Sequence, residues 1–173
     1  MAAMYEIVQD RFYEVLQAYS GCCVDYCLLK GGQPYRGEDS HREAVLFAIE
    51  KSGDWERDIS KAKAERIATA DFLAPPATPC LYESGGKLSY WRAFLAPPHG
   101  ISKGVRGKCG PEDFQALNAA LFPNGTRRLE VYEWSTDWSD YFDDGHEWWG
   151  AACWSAYDFA SERYAVVMAS ATD

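Results

Sequence analysis

Basic residues are nearly missing from the last third of this chain. From residue 129 onward it carries ten Asp or Glu and a single base, Arg163, whereas residues 1–128 hold sixteen of each sign. The whole formal charge of −9 therefore belongs to 129–173. Such a balance argues against a nucleic-acid binder, because phosphate contacts need clustered Lys and Arg. Long apolar runs are missing too. No stretch approaches the roughly 18 uncharged residues of a membrane-spanning helix, so no membrane association is expected. Residues 1–20 carry Glu6, Asp10, Arg11 and Glu14 where an export signal would place a basic tip and an apolar run. The expectation is a cytoplasmic protein.

Paired cysteine spacing is absent as well. Cys22, Cys23 and Cys27 lack the two close Cys/His pairs of a structural zinc site, and Cys80 and Cys109 stand alone. Six cysteines are sparse for a disulfide scaffold in a chain of this length, and they read as reduced thiols. Cys153 follows His146 by seven residues, but a single cysteine in a strand reads as a core residue before it reads as a nucleophile. The glycine-rich stretch 99–110 invites a phosphate reading. A nucleotide loop of the Walker type needs a glycine at 102 and a hydroxyl at 109, where Ser102 and Cys109 stand. His146-Glu147 would open a zinc-protease helix only with a second histidine at Gly150. Aligned on a calcium loop, Asp140–Gly145 puts Phe142 at a ligand position and Ala151 where a bidentate Glu belongs. No metal site and no cofactor is expected.

What is present is a core-sized apolar content, 47% of 173 residues. Tyr5, Val8, Phe12, Val15, Leu16 and Tyr19 follow three-and-four spacing and predict a helix over 3–19. Ser40 with Glu43 predicts a capped helix with Ala44, Val45, Ala48 and Ile49 inside, ended by Gly53. A peripheral third helix is expected from Asp54, with Trp55, Ile59 and Ala62 on its inner stripe. The two Phe-Leu-Ala-Pro-Pro copies at 72–76 and 94–98 each mark the end of an element. A turn at 84–86 would join Cys80–Glu83 to a strand over Leu88–Leu95. Pro111 opens a helix with Phe114, Leu117 and Leu121 inward. Arg128–Trp134, Trp148–Tyr157 and Arg163–Ser170 read as strands, the last two paired antiparallel. The expected class is α+β, with N-terminal helices packed on a mainly antiparallel C-terminal sheet. It forms one domain with a helical part at about 1–73, a mixed part at about 79–125 and a sheet-rich acidic part at about 126–173.

One segment concentrates unusual residues. Five of the seven tryptophans lie between 134 and 154, and the connection 135–147 carries five carboxylates and a histidine. Trp134, Asp137, Trp138, Asp140, Tyr141, Asp143, Asp144, His146, Glu147 and Trp148 are the candidate binding residues. Exposed Trp and Tyr make interface hot spots, and an acidic rim steers a basic partner. The plainer reading is a solvated acidic surface with the tryptophans plugging the sheet beneath.

In its size, its acidity, the Trp/Asp-rich stretch 134–150 and the ending Arg163–Asp173, the chain resembles the small acidic immunity proteins that bacteria encode beside toxins. The resemblance implies a stoichiometric inhibitor with no catalysis and a basic, toxin-like protein partner. The alternative is a small hydrolase or carbohydrate-binding protein, since sugar rings stack on indole and paired carboxylates cut glycosidic bonds. Self-association, with the acidic connection of one copy on the basic loop 99–108 of another, is a third expectation.

Overall fold

The computed structural model describes residues 3–19, 22–75, 88–95, 110–147 and 150–170. The expected strand at 80–83, the turn at 84–86, the basic loop up to residue 109, and Trp148 lie outside them. The class is α+β: among the described residues there are five α-helices and a six-stranded sheet, antiparallel throughout, in the order β1-β2-β6-β5-β4-β3. The strands are β1 (Tyr5–Glu6), β2 (Val24–Lys30), β3 (Ala64–Ile67), β4 (Leu129–Trp134), β5 (Ala151–Asp158) and β6 (Arg163–Ser170). Three of the six come from the N-terminal part, which was expected to be helical. The sheet is thus assembled from both ends of the chain.

β5 and β6 sit at the centre and are buried along nearly their whole length. This explains their nearly continuous apolar sequence, since a strand covered on both faces has no polar side to show. Their alternation divides the core in two. Ala152, Trp154, Ala156, Ala165, Val167 and Ala169 face one layer, while Cys153, Tyr157, Tyr164, Val166 and Met168 face the other. The first layer is roofed by α1 (Arg11–Leu16), α3 (Thr69–Leu73), α4 (Tyr90–Leu95) and α5 (Pro111–Leu121), through Phe12, Phe72, Phe94 and Phe114. The second is roofed by α2 (Glu38–Ser52), through Ala44, Val45, Ala48 and Ile49, and by the connection 135–147.

Several expectations are corrected. The 3–19 helix breaks up into β1, a turn, and α1 with a trailing 3-10 turn over Gln17–Tyr19. Tyr5 and Val8, two members of its supposed inner stripe, are 51% and 60% exposed. Asp10 restarts the chain as a cap, its carboxylate accepting from Phe12 N–H at 2.9 Å. α2 starts at Glu38, not Ser40, because Gly37 with φ 68° supplies a left-handed entry that a side chain disfavours. Ser40 and Glu43 turn back to Arg36 instead, at 2.8 Å to its N–H and 3.1 Å to its guanidinium. The third helix is absent. Residues 54–63 run irregularly, with one 3-10 turn at Ile59–Lys61 capped by Asp58. The strand expected at 88–95 is the helix α4, whose buried Tyr90, Ala93 and Phe94 have i, i+3, i+4 spacing. α5 is as expected. Pro111 occupies its first turn, and the Asp113 carboxylate accepts from Gly110 N–H at 2.7 Å.

Candidate functional site

The connection from β4 to β5 folds into two 3-10 turns, Asp140–Phe142 and Asp144–Glu147. It is pinned along its length by the irregular stretch 56–63. Ser135 N–H donates to the Lys63 carbonyl at 2.8 Å, Asp58 N–H to the Trp138 carbonyl at 2.8 Å, and Asp140 N–H to the Glu56 carbonyl at 3.2 Å. Its far end is closed by Gly145. A Cβ there would stand 2.8 Å from Ala151 N, and Gly145 N–H donates to Ser170 Oγ at 3.1 Å.

This docking sorts the ten candidate residues. Trp134, Trp138 and Tyr141 are core residues, 3%, 3% and 7% exposed, so the expected ring of exposed aromatics is corrected at these positions. They are joined by Phe142, with Trp138 and Tyr141 edge-on to its ring at 5.5 and 4.8 Å. Truncating either indole is worth about 3–5 kcal/mol of stability, a size that suits their place in the core. A sugar platform would need these faces open, so they provide none. Asp137, Asp143, Asp144 and His146 are exposed and Asp140 is half-buried. His146 contacts Thr136 Oγ1 at 2.9 Å and lies 4.0 Å from Asp143. Glu147 lies in the second 3-10 turn.

Around the exposed carboxylates is a cavity of about 350 Å³. Its lining joins Asp137, Asp140 and Asp143 to Glu56 and Asp58, with Arg57 and Lys61 as the only bases among the described residues. Both bases have local partners: Arg57 lies 3.5 Å from Glu50, and Lys61 lies 3.9 Å from Asp58. The Ser60 hydroxyl donates to Asp58 and holds its carboxyl below the usual range. Asp140 Oδ1 is buried and has no hydrogen-bond partner among the described residues. A carboxylate oxygen left this way is expensive, and a donor supplied from outside would relieve it. Arg163, the one base of the acidic third, is itself buried. It pairs with Asp10 at 2.8 Å and donates to the Ala120 and Leu121 carbonyls. It does not offset the acidic surface.

The 56–61 half of this site was missed in the sequence because a helix was expected there. Its signal was the spacing of Glu56 and Asp58, which places both acids on one side of an extended chain.

Beneath the site, on the same side of the sheet, lies a buried polar chain. His41 of α2 has Nε2 2.8 Å from Tyr35 Oη and Nδ1 2.7 Å from Ser155 Oγ, and Trp134 Nε1 donates to the same hydroxyl at 2.8 Å. Burial pushes the imidazole down to about 3, so it is neutral near pH 7. Hydroxyl partners on both nitrogens satisfy either neutral tautomer. Ser155 and His41 are fully enclosed, which makes this a packing network and not a nucleophile with its base. Cys153 and Cys27 are also buried, their thiols pushed well up by desolvation, which keeps both in the unreactive protonated form.

Among the described residues no three His, Cys, Asp or Glu are grouped so as to hold a metal ion, and no helix is long and apolar enough to cross a membrane. No known protein family, curated protein or solved structure matches the chain.

Proposed function

We propose that this chain is a protein-binding module, working in the cytoplasm as an immunity-like inhibitor, that receives a basic partner on the acidic cavity between 56–61 and 137–143. The carrying observation is the convergence of five carboxylates from two segments on one cavity, one of them with a buried oxygen that has no partner among the described residues. A Lys or Arg side chain entering there would complete Asp140 and meet its neighbours through charge-assisted hydrogen bonds. Carboxylates around the entrance would speed encounter with a basic surface. The aromatic groups contribute by holding the loop in shape from below.

The test compares capture from source cells by the wild-type chain, by an Asp137→Asn/Asp140→Asn/Asp143→Asn variant, and by a control with Asp71→Asn and Glu112→Gln away from the cavity. The expected result is a basic protein retained by wild type and control and lost from the triple variant. That protein's toxicity or enzymatic activity should be suppressed by the added chain at one-to-one stoichiometry. Equal retention by the triple variant would sink the acidic-cavity reading, and retention without inhibition would sink the inhibitor reading.

A further inference from the structure

β2 is seven residues long, but β1 pairs with it only at Leu29 and Lys30. In an antiparallel strand, alternate residues turn their N–H and C=O toward the same neighbour. Leu28 shows which residues face outward. Its carbonyl accepts from Ile7 N–H at 2.8 Å, and its N–H donates to Tyr13 Oη at 2.8 Å. Tyr26 and Val24 share that direction. The Val24 carbonyl takes the Cys22 thiol at 3.4 Å, whereas the N–H and C=O of Tyr26 have no partner among the described residues. Along this open edge runs a cavity of about 400 Å³, with Asp25, Tyr26 and Cys27 on its strand wall and Lys51, Trp55 and Tyr141 among its other walls.

We propose that the outer edge of β2 accepts an extended basic segment of the partner, hydrogen-bonded to Tyr26 N–H and C=O, with its cationic side chains in this cavity. Strand addition to an open edge draws affinity from backbone hydrogen bonds and specificity from pockets for alternate side chains. The register assigns those side chains. Residues opposite each other across a ladder share a face. A guest residue opposite Tyr26 therefore points with Tyr26 toward the α1 layer. Its two neighbours point with Asp25 and Cys27 toward the α2 layer, where the cavity lies.

Charge selects the occupant. Asp25 gives one oxygen to Tyr141 Oη at 2.5 Å and is otherwise exposed. Glu6, also in the lining, accepts from Tyr13 Oη at 2.8 Å and lies 3.6 Å from Lys51 Nζ. Two carboxylates face one ammonium, on a chain of formal charge −9. A second copy paired edge to edge would bring like charges together, whereas a basic strand is complementary. Trp55 and Tyr141 of this cavity adjoin Glu56 and Asp140 of the acidic one along the chain, which puts both within the span of a single partner. The inference rests on the basic-partner reading and adds the form in which the partner arrives.

The test uses a synthetic probe, acetyl-Val-Lys-Val-Lys-Val-amide, titrated into the full isotopically labelled chain by NMR. The Tyr26 amide is expected to shift and to exchange more slowly at saturation while Leu28 stays unchanged. Methylating the central valine's amide nitrogen should abolish the effect, and methylating the two lysine amides, which face away from β2, should not. Asp25→Asn, which keeps an acceptor for Tyr141, should weaken binding by about fivefold. An unmoved Tyr26 amide, or equal binding of the centrally methylated peptide, overturns the proposal. Equal binding of acetyl-Val-Glu-Val-Glu-Val-amide overturns its choice of a basic occupant. No native partner enters this experiment, and the Asp137/Asp140/Asp143 variant is expected to bind the probe as wild type does. Failure here therefore leaves the acidic-cavity reading standing, and failure there leaves this one.

Discussion

His41 enters the core with both ring nitrogens engaged, which fixes how acid acts on the protein. Its folded pKa lies at about 3, below the ordinary histidine value of 6.5. Between those two values the unfolded chain binds a proton that the folded chain refuses. Stability is therefore unaffected by this group above about pH 6.5 and falls as the pH drops toward 3, at about 1.4 kcal/mol per pH unit. The loss totals on the order of 5 kcal/mol over that window. His41→Gln keeps a donor and an acceptor but cannot titrate. It is expected to lower stability at pH 7 and to flatten the decline between pH 6.5 and 4. Urea denaturation of both proteins across that range measures it, and parallel curves would show that the histidine is not the acid-sensitive group.

At the scale of elements, Arg163 at the start of β6 ties three pieces together. It holds Asp10, which caps α1, and donates to the last carbonyls of α5 at Ala120 and Leu121. Helix carbonyls at a C-terminus have no partner of their own, so this buried side chain closes α5 as well as pairing the half-buried Asp10. Arg163→Met is expected to cost about 2–3 kcal/mol, because it leaves the Ala120 and Leu121 carbonyls without their donor and one oxygen of the half-buried Asp10 without its cation. Asp10→Asn keeps the cap and should cost less. A double-mutant cycle read by denaturation should show coupling well above an exposed pair's, and additive effects would count against the tie. No feature of the sequence marks this contact, which spans 153 positions. The elements that were legible are those whose pattern is set locally: β4, β6, α5, the bulk of β5, and α2 apart from its first two residues. Those that were not were decided by partners far along the chain. Tyr5–Glu6 is extended because β2 offers an edge, and 54–63 is unwound because the acidic connection pairs with it. The candidate site divides the same way. Asp137, Asp143 and Asp144 are exposed because charge resists burial, whereas the half-burial of Asp140 depends on the 54–63 stretch that pairs with its backbone. Which way Trp134, Trp138 and Tyr141 face depended on a sheet side that composition cannot reveal.

For the whole molecule, the separation of charge sets a trade between folding and association. The acids of the 129–173 region meet further acids at 56 and 58, and the one base of that region is buried, so five carboxylates face only Arg57 and Lys61 among the described residues and the free protein carries net repulsion across this face. Like charges at a surface destabilise the compact state and are screened beyond about 8–10 Å at physiological salt. Asp137 is exposed, lines the cavity, and makes no hydrogen bond or ion pair among the described residues, which makes it the cleanest probe. Asp137→Asn is expected to raise stability by a few tenths of a kcal/mol at low ionic strength, within the usual range for an exposed charge, and by nothing measurable in 1 M salt. Denaturation midpoints at the two salt concentrations read this directly. The same substitution should slow association with a basic partner while leaving its dissociation nearly unchanged, because a charge at the rim acts on encounter more than on the formed complex. A face maintained at the expense of stability is the pattern expected when charge is kept for binding, and a destabilising Asp137→Asn at low salt would remove that inference.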